Sequence, residues 1–298
     1  MDYNVFDAVR AGFSRIVYVV RPEIDEQIRA HVTDLVGDAV NVRFIRQRLD
    51  EVPVGFVPPP ERLRPWGTGH AVLCAAHDLE GVYAVCNADD LYGPHSFELL
   101  HRHLTGPVFS GASAGEAGSA ARAAATAPCP SAGPADAALI GYTLADTLSG
   151  TGGVARGVCV LGRDGLLEAI SEVREIRAVD GWISGVDEEG NPVELGGEEI
   201  VSMNLWGFTP PVTELLDLQF ARFLDRTGGD PEAEFLLSTA LNDQVRMGRT
   251  RVAVRHSPDA WFGVTHAQDR ALAEATLKRR IEDGAYPADL AAAFRSLS

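Results

Sequence analysis

The residues best placed for chemistry lie in the segment VYAVCNADDLYG, 82–93, where an apolar run ends in two adjacent carboxylates, Asp89 and Asp90, ahead of a glycine turn. Such a run reads as a buried strand, and strand ends are where open α/β sheets place ligands. A carboxylate fixed there, yet open to a crevice, suits a hard divalent cation that also touches substrate phosphates. The competing reading is a turn cap, because Asp beside Gly is common in turns. Upstream, RPWGTGHA, 64–71, is a Gly-rich turn that feeds a helix. Its glycines would let backbone N–H groups approach a ligand, and a helix N-terminus favours anions. A tight helix-entry turn explains the same residues, His70 included. His101 and His103 stand two apart, so on a helix they point in different directions and argue against a metal pair.

Together the two segments resemble the nucleotidyltransferases that make activated sugars, the family of glucose-1-phosphate thymidylyltransferase and its adenylyl, cytidylyl, guanylyl and uridylyl counterparts. The likeness runs almost end to end. Residues 65–71 correspond to the family's base-contacting loop and NADD, 87–90, to its Gly-Asp-Asp/Asn element. VARGVCV at 154–160, ISE at 170–172, SMNLWGF at 202–208, EFLL at 234–237 and WFGVT at 261–265 resemble further segments of one branch.

The resemblance implies transfer of a nucleoside monophosphate from a nucleoside triphosphate to a sugar 1-phosphate or similar phosphorylated metabolite, with pyrophosphate released and Mg2+ as cofactor. Asp89 would be the catalytic metal ligand, and Trp66, Gly67, Thr68 and Gly69 would join it in binding the nucleotide. Glu172 would contact sugar hydroxyls and Asn204 the acceptor pocket. An acceptor phosphate is already anionic, so catalysis would rest on in-line positioning and neutralisation of charge. The implied fold is α/β with a mostly parallel sheet flanked by helices, the Rossmann-like nucleotidyltransferase fold, N-terminally truncated and with a helical C-terminal portion.

The sequence also departs from the family. The strand and Gly-x-Gly-x-Arg loop that open the family, with a downstream Lys, are not seen, and MDYNVFDAVRAGF, 1–13, resembles the helix that follows that loop. The expectation is a start further upstream; the alternative is a cut-down, catalytically silent nucleotide-sugar-binding or regulatory paralogue, with Arg64 left to stand in for the loop. The family's second metal ligand, an Asp in a Trp-x-Asp-x-Gly-Thr segment, is matched by Gly263, and Asp269 is either its substitute or a favourable helix N-terminal charge. The Lys that often follows the sugar-contacting Glu is replaced by Val173, which leaves Arg174 as the candidate to neutralise the acceptor phosphate or as a solvated surface residue. A glycosyltransferase on the same architecture would want Asp-x-Asp, whereas these carboxylates are adjacent.

The elements that must position these residues read as follows. Helix, strand, helix, strand over 4–46 and again over 68–108 predict a parallel sheet with helices on both faces. Residues 111–138 turn to Gly, Ala, Ser and Pro and read as a flexible loop. Strand-like runs at 139–144, 156–161, 166–173 and 200–208, split by Gly-rich turns, make the middle third β-rich. A helix whose apolar face is Leu215, Leu216, Phe220, Phe223 and Leu224, another over 234–245, a strand at 251–255, a helix opened by a capping box at Thr265 and Gln268, and a last helix carrying Leu290, Phe294 and Leu297 complete the chain. The expected division is an α/β domain over 1–210 and a helical portion over 211–298 packed on it.

The 298 residues carry 26 Lys and Arg against 42 Asp and Glu, a net charge of −16, with no clustered basic stripe. That argues against nucleic-acid and anionic membrane partners. An acidic chain can still hold phosphates, because a metal and a few local donors set the field at the site. Apolar runs such as 16–20 fall far short of the ~18 residues of a membrane span. With no basic patch and apolar core at the N-terminus, a cytoplasmic protein is expected, with a homo-oligomer allowed. Cys74, Cys86, Cys129 and Cys159 form no Cys-x-x-Cys pair, which speaks against disulfide or zinc roles.

Overall fold

The structure is a computed structural model that describes residues 1–106, 134–149, 152–227, 229–263 and 269–297, with the side chains of 77 and 269–272 excluded. Helix α1 (Asp2–Ala11) stops at Gly12, whose φ of 110° closes it in the left-handed conformation that glycine adopts freely. Strand β1 (Arg15–Val20), helix α2 (Asp25–Val36) and strand β2 (Asn41–Arg46) follow, and β1 pairs with β2 in parallel from Arg15 opposite Asn41 to Val20 opposite Arg46. Val5, Phe6, Tyr18, Val32 and Val36 bury this unit against Tyr286 and Phe294 from the end of the chain.

After α3 (Thr68–Ala75), β3 (Tyr83–Val85), β4 (Asp90–Leu91) and α4 (Pro94–Leu104) comes a long run of strands: β5 (Ala135–Thr143), β6 (Val154–Leu161), β7 (Leu167–Val179), β8 (Trp182–Val186), β9 (Pro192–Leu195) and β10 (Ile200–Phe208). Helices α5 (Pro210–Thr227) and α6 (Leu237–Arg246), strands β11 (Thr250–His256) and β12 (Phe262–Gly263), and helices α7 (Asp269–Glu282) and α8 (Leu290–Arg295) complete the order. The expected capping box at 265 and 268 and the short strand near 108 lie outside the described residues, as does most of the expected loop; its last part, from Ala135, is the start of β5.

The mostly parallel sheet expected from the sequence is overturned. The main sheet is eight-stranded, in the order β11, β5, β10, β6, β7, β8, β9, with β3 also paired to β10. All of its neighbours run antiparallel except β11 beside β5. The alternation of helix and strand that predicts parallel pairing stops at α4. From β6 to β9 the connections are tight turns at Gly165, Gly181 and Gly190, all at positive φ, and tight turns join only antiparallel neighbours.

Strand β10 is the spine. Its side chains alternate between the two faces of the sheet. Trp206 and Phe208 pack with Trp66, Phe220 and Leu241, while Val201, Met203 and Leu205 pack with Tyr92, Leu100 and Ile140. Among the described residues no helix is long and apolar enough to cross a membrane.

Candidate functional site

The cleft is made by a defect in that spine. The register of β10 against β5 slips between Ser202 and Leu205, so Met203 and Asn204 are extra residues in the ladder. Asn204 sits at φ 61°, a conformation that asparagine tolerates better than most residues, and the bulge aims it into a cleft of about 450 Å³. Its Oδ1 accepts the Trp206 indole N–H at 3.3 Å, which fixes the amide and leaves its NH2 for a ligand.

The predicted carboxylates face Asn204 across this cleft. Asp89 is exposed and its side chain makes no hydrogen bond or ion pair among the described residues. Asp90 is 8% exposed and held on two sides. Asn87 Nδ2 donates to its Oδ2 at 2.9 Å, and the Tyr92 hydroxyl lies 3.1 Å from the same oxygen and 2.7 Å from Met203 O. That hydroxyl has one proton for two acceptors. Burial pushes the Asp90 carboxyl up to about 6, with the neighbouring Asp89 charge adding to the rise against the Asn87 and Tyr92 hydrogen bonds.

Strand β4, which carries Asp90, pairs with β12, and Asp90 stands opposite Gly263. A Cβ at Gly263 would lie 2.7 Å from Asp90 Oδ1 and 2.5 Å from the Trp261 ring. The room a carboxylate at 263 would need is thus filled by Asp90 and Trp261. The side chain of Asp269 is outside the description.

Glu172, on β7, also lines the cleft, and its backbone N–H donates to Glu188 Oε1 at 3.2 Å. Helix α6 forms the opposite wall with Ser238, Thr239 and Arg246, tied to β7 by Ile170 N–H donating to Asn242 Oδ1 at 2.9 Å. Arg156, on β6, completes the lining beneath Trp261. The structure therefore brings Asp89, Glu172 and Asn204 to one cleft, along with Asp90, Arg156 and Arg246.

Arg174 does not line the cleft. It is exposed, and its Nη2 donates to Asp187 O at 3.4 Å. The Lys position itself, Val173, faces the core, but its cross-strand partner is Arg156. Directly opposed residues share a face of a sheet, so a cation reaches the site from the neighbouring strand. No motif signals this; only the pairing register does.

The Gly-rich turn is spent on the fold. Trp66 is fully buried, its indole donates to Leu49 O at 3.0 Å, and the Arg62 guanidinium sits 3.5 Å over its ring. Gly69 N–H donates to Phe235 O at 2.9 Å and Phe235 N–H to Trp66 O at 2.6 Å. Gly67, at φ 106°, would place a Cβ 2.6 Å from Phe235 O. Thr68 Oγ1 accepts Leu237 N–H at 3.0 Å and so caps α6, the helix that walls the cleft. His70 is buried against Glu51 O at 2.7 Å, and burial lowers its pKa. Arg64 pairs with Glu232 at the surface, 3.3 Å apart.

Two carboxylates on consecutive residues fit a cation that takes most of its ligands from water and phosphate, which is how Mg2+ is usually held. A cage built by the protein alone is a different matter: no group of three or more His, Cys, Asp or Glu side chains among the described residues could hold a metal ion.

No family model matches this chain, and no curated protein does. Among solved structures it is similar to HddC from Yersinia pseudotuberculosis, at 13% sequence identity and a TM-score of 0.49, over 92% of this chain and 84% of that one. A likeness at that level assigns no activity.

Proposed function

We propose that the cleft is the active site of a nucleotidyltransferase that joins a nucleoside monophosphate to a sugar 1-phosphate or similar phosphorylated metabolite and releases pyrophosphate. The observation that carries this reading is convergence: Asp89, Glu172 and Asn204, from three distant parts of the sequence, line one cleft. Asn204 and Glu172 offer the donor and acceptor groups that sugar hydroxyls need. Asp89, uncommitted within the protein, and Asp90 beside it would hold Mg2+, which when bound supplies neutralisation of phosphate charge. Arg156 and Arg246 are the cations that would face the phosphates. The chain's work is then to orient two anionic reactants and keep them in line, with little covalent help required.

The test is a screen of the four nucleoside triphosphates against a panel of sugar 1-phosphates with Mg2+, reading pyrophosphate. Asp89→Asn should abolish release by at least ~100-fold while the melting temperature stays within a few degrees, since the side chain is exposed and unpaired. Turnover retained in that variant removes Asp89 from its role. One observation favours a second reading, a nucleotide-sugar-binding protein without turnover: the Gly67 and Gly69 segment, expected to meet the nucleotide, is committed to Phe235. Tight binding of a nucleotide sugar with no pyrophosphate release across the screen would select it.

A further inference from the structure

Arg156 is locked in place before any ligand arrives. Its Nε donates to Thr147 Oγ1 at 3.1 Å, Nη1 to Ala155 O at 2.8 Å and Nη2 to Thr147 O at 2.5 Å. Thr147 is itself buried, and the guanidinium lies 4.9 Å from the Trp261 ring centroid. Among the described residues no carboxylate comes within 4.0 Å of it. Burial lowers its pKa to about 10, against the pull of the Asp90 charge. A guanidinium carries five N–H groups, so among the described residues these three hydrogen bonds leave two of them uncommitted in a side chain that lines the cleft. Half-burying a cation without a counter-charge is costly unless a ligand supplies one.

Its neighbours say what kind of ligand. Arg156 and Glu172, on the paired strands β6 and β7, both line the cleft. Asn204 faces them from the bulge. A molecule with hydroxyls at one end and an anion at the other matches this order, and a fixed guanidinium fork matches the oxygens of a phosphate better than a flexible ammonium does.

We infer that Arg156 is the anion receptor of the acceptor half of the cleft, taking the phosphate monoester of the acceptor on its two uncommitted N–H groups while Glu172 and Asn204 hold the hydroxyls. The inference rests on the proposed reading for the identity of the acceptor, and it moves to Arg156 a part for which Arg174 was the candidate.

The experiment uses the full chain, 15N-labelled and without nucleotide, titrated with inorganic phosphate and separately with glucose 1-phosphate, while the arginine Nε–H resonances are followed by NMR. The Arg156 resonance should move in step with saturation. Arg156→Met should weaken phosphate binding by about 10- to 100-fold and Arg156→Lys by about 10-fold, with Arg246→Met costing less than either. Phosphate affinity unchanged in Arg156→Met, a larger loss in Arg246→Met, or no phosphate binding by the unaltered chain overturns the inference. Should Arg156→Met fail to fold, Arg156→Lys and Thr147→Val decide the matter, because the first keeps the charge and removes the fork and the second removes one of the fork's three anchors; affinity equal to that of the unaltered chain in both overturns it. Phosphate binding through Arg156 with no pyrophosphate release in any screen would remove the enzyme reading and leave this one. Pyrophosphate release with acceptor KM unmoved in Arg156→Met would do the reverse.

Discussion

Replacing Asp90 by Asn should stabilise the protein above pH 7, although Asp90 sits in the candidate site. Burial raises its carboxyl from the ordinary 3.8 to about 6, so the folded protein binds a proton more tightly than the unfolded chain does. For such a group stability falls as pH rises through the interval between the two values, and the whole penalty is present above about 6. A rise of that size corresponds to about 3 kcal/mol. Asn keeps an acceptor for Asn87 and Tyr92 but can orient less well, so a net gain of about 1–2 kcal/mol, or roughly 2–6 °C in melting temperature, is expected at pH 8. Below about pH 3.8 the carboxyl is protonated in the folded and the unfolded chain alike, and the two proteins should melt together. Thermal melts by circular dichroism from about pH 3 to 8 measure both limits. A variant less stable than the parent at pH 8, with the gap closing at low pH, refutes the reasoning: it would mean that the Asp90 charge is held by Arg156 strongly enough to outweigh burial.

Asp7 offers the same test away from the cleft. It is 1% exposed, takes the Tyr286 hydroxyl at 2.6 Å, leaves Oδ1 without a hydrogen bond, and is likewise raised to about 6 by burial. Asp7→Asn should therefore also gain about 1 kcal/mol at pH 8, a gain that shrinks as pH falls and is gone below about pH 3.8, read by the same melts. Gly67→Ala should cost about 2–4 kcal/mol, because both its φ of 106° and the Phe235 backbone forbid a Cβ. Its folded fraction should still bind phosphate, and loss of phosphate binding with an unchanged melting temperature would restore the Gly-rich turn to the ligand.

What could be read from the sequence was what strands and their ends dictate. The apolar run ahead of Asp89, the segment 202–208 within β10, the cap at Gly12 and the turn at Gly93 are local signals, and the structure keeps them. Two things were not local. The Gly67–Gly69 donors are consumed by Phe235, far along the chain, so a turn that looks free in sequence is occupied in space. Arg156 earns its place only through the β6–β7 hairpin, where an antiparallel register sets it opposite Val173 and next to the partner of Glu172. Had these strands been parallel, as in the mostly parallel sheet that was expected, the connection through Gly165 would be far too short and Arg156 would not face that residue. The wrong sheet and the overlooked cation therefore share one cause. Reading the tight turns after Leu161 as hairpins corrects the topology, and the same step leaves Arg174 at the surface and brings Arg156 into the lining of the cleft, where the proposed anion would meet it.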